Sequence, residues 1–109
     1  KLAPPTVKVE VNELHYGSPV LVNRNGAGIR AAVESIKEAF GKDVVFMREG
    51  GSIPIVSSFE NVLKAPSILM GFGLPEDNIH SPNESFALEN FFGGIKASAI
   101  FYDKIANKK

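Results

Sequence analysis

Hydrophobic and polar positions alternate strictly over residues 6–14, where Val7, Val9 and Val11 are interleaved with Lys8, Glu10 and Asn12. A period of two puts the valines on one face and predicts a strand with one wet side. Pro4-Pro5 before it and Gly17-Ser18-Pro19 after it are breakers at both ends. Val20-Leu21-Val22 is too short to classify by period, and residues 23–28 read as a turn-rich link. The period then changes. Ile29, Ala32, Val33, Ile36, Ala39 and Phe40 fall at the i, i+3, i+4, i+7 spacing of one helical stripe. Arg30, Glu34, Lys37 and Glu38 occupy the other side, and Gly41 is placed to end the helix.

Residues 44–47 and 67–70 are four-residue apolar runs, short enough to be strands buried on both faces. Between them a second helix is predicted to begin near Pro54, since proline is tolerated in a first turn and Ser52 can cap from outside. Ile55, Phe59, Val62 and Leu63 would line its inner face, and Ala65-Pro66 would end it. Residues 71–85 carry Gly, Pro, Asp, Asn and Ser at most positions and predict a long loop, a feature usually tied to function when ordered. The last helix is expected over 88–106, with Leu88, Phe91, Phe92, Ile95, Ala99, Tyr102 and Ile105 as its stripe. Gly93-Gly94 within it suggests a close approach of a neighbour. Helix, short strand, helix, short strand, loop, helix is an α/β pattern with crossover connections. Because the first strand is half wet and the later two are not, residues 1–16 are assigned to a different layer or domain from 17–109.

Composition narrows the functional classes. A chain of 109 residues supports one core, or is a piece of a larger one. Twelve basic and twelve acidic residues give no electrostatic reason to expect nucleic acid or an anionic membrane. Zero cysteines exclude a disulfide framework, thiolate metal sites and cysteine nucleophiles. They fit a reducing compartment, and a cytoplasmic location is the expectation. No apolar run approaches bilayer length, and no targeting leader is expected after Lys1.

Candidate chemistry sits at two places. Gly50-Gly51-Ser52-Ile53-Pro54 lies at a strand-to-helix junction, where it reads either as a tight turn with a cap or as backbone N–H groups facing an anion. It is not a phosphate-binding loop, since no GK[ST] follows, and no Gly-x-Ser-x-Gly elbow is present. His80 lies in the long loop beyond a predicted strand end, where ligands bind in open α/β sheets. A loop histidine is more commonly an exposed residue than a metal ligand. Glu76, Asp77 and Glu84 could orient its imidazole, or could serve the loop and its caps. His15, at a strand end beside Tyr16, has no supporting cluster. With two histidines and no HExxH pair, no local motif assembles a four-ligand zinc site.

Three segments together carry a resemblance. Arg48-Glu49-Gly50-Gly51-Ser52-Ile53-Pro54, then Met70-Gly71-Phe72-Gly73-Leu74-Pro75, then Asp77-Asn78-Ile79-His80-Ser81-Pro82-Asn83-Glu84, in that order and spacing, resemble the M20 metallopeptidases, most nearly the dipeptidase and carnosinase-like branch. The resemblance covers essentially the whole chain. It implies a C-terminal fragment of a larger enzyme: residues 1–16 as the last strand of the lid (dimerisation) domain, and 17–109 as the C-terminal part of the catalytic α/β domain. It implies two zinc ions in the intact enzyme, with His80 matching the last metal ligand. Gly50, Gly51 and Ser52 match the segment near the substrate's terminal carboxylate, and Glu49 a position near its amino end. The general base and the other ligands would lie outside the chain, so no catalytic residue is assigned within it. The implied activity is hydrolysis of dipeptides or other short peptides, by a homo-oligomer, with the isolated chain inactive. The alternative is a non-catalytic α/β module that binds an anion or a peptide.

Overall fold

The computed structural model of the chain describes residues 3–14, 17–48, 53 and 55–107. Among these, the elements in chain order are helix α1 (Ala27–Phe40), helix α2 (Ile55–Leu63), a single 3₁₀ turn (Pro75–Asp77) and helix α3 (Leu88–Asn107). Helix α1 forms where the 3.6-residue period predicts it. Gly41 closes it in the left-handed region at φ 66°, with its N–H donating to Lys37 O at 2.8 Å. That conformation costs glycine little and other residues more.

Helix α3 packs along α1, while α2 packs on neither among the described residues. The seam between α1 and α3 is built from small side chains. Ala31 and Ser35 of α1 and Ala97 of α3 are fully buried, with Ala32 and Gly94 nearly so. Small residues let two helix backbones approach closely, and the bulkier stripe residues then lie to either side. A Cβ added at Gly93 would stand 2.4 Å from the Phe40 ring, and one at Gly94 2.8 Å from the Phe72 ring. The sequence-based expectation of close packing at Gly93-Gly94 therefore holds. Phe40 and Phe72 stack on each other at 5.9 Å between centroids, which ties the start of the long loop to the end of α1. Lys104 of α3 reaches across to Glu38 at 3.1 Å and Glu34 at 3.9 Å. At the exposed end of α1, Lys37 bonds Asp43 at 2.6 Å; the hydrogen bond and the opposite charge hold the Lys37 ammonium above its usual range and the Asp43 carboxyl below its own.

The α/β expectation is overturned. No strand or sheet occurs among the described residues, and helices make up the regular structure. Residues 6–14, 44–47 and 67–70 run without ladder partners. The apolar side chains of these runs stay largely open, with Val11 87%, Val45 78%, Met47 71% and Leu69 56% exposed. An apolar run records that burial suits its side chains, but a strand exists only where a neighbour accepts and donates its backbone bonds. No run supplies that neighbour to another here. The inner face expected for α2 also fails: Ile55, Phe59, Val62 and Leu63 are exposed and Val56 is the buried residue. Helix α2 does stop before Ala65-Pro66, with Lys64 left-handed at φ 53°. The predicted start of α2 at Ser52 and Pro54 lies outside the described residues.

Candidate functional site

The long loop between Phe72 and α3 is built from turns that lock one another. Pro75 opens the 3₁₀ turn, and Asp77 N–H donates to Leu74 O at 3.1 Å. The Asp77 carboxylate returns the bond, accepting Leu74 N–H on Oδ2 at 2.7 Å. Asp77 is 3% exposed, so this bond satisfies a charge-bearing group that would be costly to bury alone. Asn78 follows in the left-handed region at φ 53°. Ser81 N–H then donates to Asn78 O at 2.9 Å, closing a turn with Ile79 and His80 at its centre. Glu84 N–H donates to Ser81 O at 3.2 Å, closing a second turn around Pro82 and Asn83. Ser85 N–H donates to Asp77 O at 2.9 Å and shuts the whole loop. Asn90 of α3 anchors its base, donating from Nδ2 to Phe72 O at 2.8 Å.

His80 stands at the exposed third position of the first turn, with φ 64°. A turn with positive φ at its third residue favours glycine or asparagine, as Asn83 shows in the second turn at φ 61°. Holding a residue with a Cβ there costs about 1–2 kcal/mol. Such strain collects where a particular side chain is needed in a particular direction. The backbone N–H of His80 donates to Glu84 Oε2 at 3.3 Å. Neither ring nitrogen has a protein hydrogen-bond partner among the described residues. The imidazole is presented outward on a fixed turn with both nitrogens open to a ligand.

The sequence placed Glu76, Asp77 and Glu84 as residues that either orient the imidazole or serve the loop. Asp77 and Glu84 serve the loop, through Leu74 N–H and His80 N–H respectively, and Glu76 is exposed. Glu49, Gly50, Gly51 and Ser52, the expected substrate-binding residues, lie outside the described residues, as does His15. Among the described residues, no three His, Cys, Asp or Glu side chains come together as a metal cluster. His80 fits zinc as one ligand, since an unbonded imidazole is a usual zinc donor, and the described residues complete no site on their own. A separate shallow groove lies along α3, lined by Phe72, Phe86, Phe91 and Ile95, and holds none of the expected site residues. The left-handed Asn83 was legible as Ser-Pro-Asn turn chemistry; the inward role of Asp77 and the conformation of His80 carried no such signature.

The sequence profile of peptidase family M20/M25/M40 matches residues 1–104. The chain is 35% identical over 94 residues to a Cys-Gly metallodipeptidase of Saccharomyces cerevisiae, covering 86% of the chain and 20% of that protein. It is 32% identical over 100 residues to the Cys-Gly metallodipeptidase of Schizosaccharomyces pombe, covering 92% of the chain and 21% of that protein. It is 30% identical over 88 residues to the Beta-Ala-His dipeptidase of Homo sapiens, covering 81% of the chain and 17% of that protein. The solved structure of the di-peptidase Dug1p from Saccharomyces cerevisiae is similar to the chain at a TM-score of 0.77 and 35% identity, over 81% of this chain and 18% of that one. The chain thus spans about a fifth of the length of the curated relatives it matches.

Proposed function

The chain belongs to peptidase family M20/M25/M40, and from that premise we propose that it is the C-terminal piece of a dinuclear-zinc peptidase hydrolysing dipeptides or other short peptides. The observation that carries this reading is His80: a strained, exposed imidazole on a turn locked by its own loop, with both nitrogens free of protein partners among the described residues. The naming of the similar proteins as dipeptidases supports the substrate class. The surface of the chain supports its being one part of a larger body. It exposes 9423 Å², against about 5,900 Å² for a compact monomer of its mass. Its radius of gyration is 18.3 Å, against about 13 Å for a closed domain of that length.

In this assignment residues 1–16 belong to the lid domain and 17–109 to the catalytic domain. His80 would offer one imidazole nitrogen to zinc. Glu49, Gly50, Gly51 and Ser52 hold the peptide's ends, which contributes positioning rather than bond breaking. Zinc, when bound in such sites, supplies Lewis-acid activation of water and of the scissile carbonyl. The general base and the other ligands come from the rest of the polypeptide. The intact protein is assigned as a cytoplasmic homo-oligomer; among the described residues, no helix is long and apolar enough to cross a membrane.

The test is hydrolysis of a dipeptide panel by the complete protein and by the isolated 109 residues. The complete protein is expected to turn over and to lose activity on chelation, with recovery on adding zinc. The isolated chain is expected to be inactive at every zinc concentration. Hydrolysis by the purified isolated chain above a His80→Ala control, or an inactive complete protein loaded with zinc, would refute the reading.

A further inference from the structure

We propose that Glu84 is a positioning residue for His80, holding the imidazole's backbone in its left-handed conformation through the Glu84 Oε2 to His80 N–H bond. This rests on the reading of His80 as a zinc ligand. The bond spans 3.3 Å and closes a ring over the residues between, so it restrains the peptide on the N-terminal side of His80, about whose N–Cα bond φ is defined. His80 sits at φ 64°, which an unsupported histidine would leave for a cheaper region. Two other bonds hold the flanks of the turn: Ser81 N–H to Asn78 O at 2.9 Å and Glu84 N–H to Ser81 O at 3.2 Å. The first of these holds the peptide on the C-terminal side of His80, and the Glu84 side chain holds the one on its N-terminal side. Glu84 therefore has two tasks, its backbone closing the second turn and its side chain reaching back to the first. Asn83, at φ 61°, turns the chain so that Glu84 can face His80.

The bond is to a backbone N–H, so an amide oxygen can replace the carboxylate. Glu84→Gln is expected to preserve the conformation, and Glu84→Ala to release it. In the complete protein freed of metal, hydrogen exchange at the His80 amide is expected to quicken about tenfold in Glu84→Ala, the loss of one charge-assisted bond, and to stay near wild type in Glu84→Gln. Zinc titration of the same proteins should show affinity about 10- to 100-fold weaker in Glu84→Ala, the usual effect of removing a group that orients a ligand. Glu84→Gln should bind zinc as the parent does. If Glu84→Ala does not fold, Glu84→Asp, one methylene short of the bond, takes its place with the same expected losses. Unchanged His80 exchange in the alanine variant would overturn the proposal, as would a glutamine variant that fails alongside it. A His80→Ala control that keeps full zinc affinity would instead overturn the ligand reading, whatever the exchange data show for Glu84.

Discussion

Glycines 93 and 94 of α3 meet aromatic rings in different ways, and single substitutions separate them. At Gly94 an added Cβ lies 2.8 Å from Phe72 Cδ2 and 3.1 Å from Cγ, at the root of the ring, where a turn of the side chain moves the atoms least. At Gly93 the contact is with the tip of the Phe40 ring, Cε1 at 2.4 Å and Cζ at 2.5 Å, the far end of a side chain rather than its root. Alanine gains roughly 1 kcal/mol over glycine in a helix interior, whereas overpacking a fixed site costs about 1–3 kcal/mol. Gly94→Ala is expected to lower the unfolding midpoint in urea. Gly93→Ala should leave it unchanged or raise it. Equal losses at both positions would mean that the Phe40 ring is as fixed as that of Phe72. His80 belongs to this scale as well. The family resemblance, not its residue type, marked it as a ligand, and its left-handed backbone and the bond to Glu84 depend on two successive turns that only the folded loop displays.

Helices were legible as elements because their period is written along one segment. The apolar stripe from Ile29 to Phe40 and the Gly41 stop gave α1, and the long stripe from Leu88 gave α3 to within a residue at its far end. Their packing face was less legible. Hydrophobicity points to Phe91, Ile95 and Tyr102, all well exposed, while the seam uses Ala31, Ser35, Gly94 and Ala97. Small residues carry little hydrophobic signal but permit the closest approach, so a stripe of large side chains misplaces the contact. Strands failed for a different reason. The alternation at residues 6–14 and the runs at 44–47 and 67–70 describe side-chain preference, and a ladder requires a partner that these segments do not give one another. The candidate site was marked at His80 by the family resemblance, and the far end of its loop by the start of α3. Its supporting bonds, from Asp77 inward and from Glu84 backward, were not.

The whole molecule leaves large apolar side chains open on most of its elements, among them Val11, Leu14, Val45, Val62, Leu88 and Tyr102. Exposed apolar side chains in this number favour association. The isolated chain is therefore expected to form dimers or larger species from micromolar to millimolar concentration, read by light scattering. A monomer across that range would count against uncovered faces as the state of the isolated chain. The central claim is the proposal that in the complete protein His80 is a ligand to a zinc ion. Its most direct test is the zinc content per chain of the wild-type and His80→Ala complete protein after equilibration at limiting free zinc. The variant is expected to retain fewer zinc ions, with apo stability changed by less than about 0.5 kcal/mol, since His80 is an exposed loop residue whose ring makes no hydrogen bond among the described residues. Two zinc ions per chain held with unaltered affinity in the His80→Ala variant would contradict the assignment.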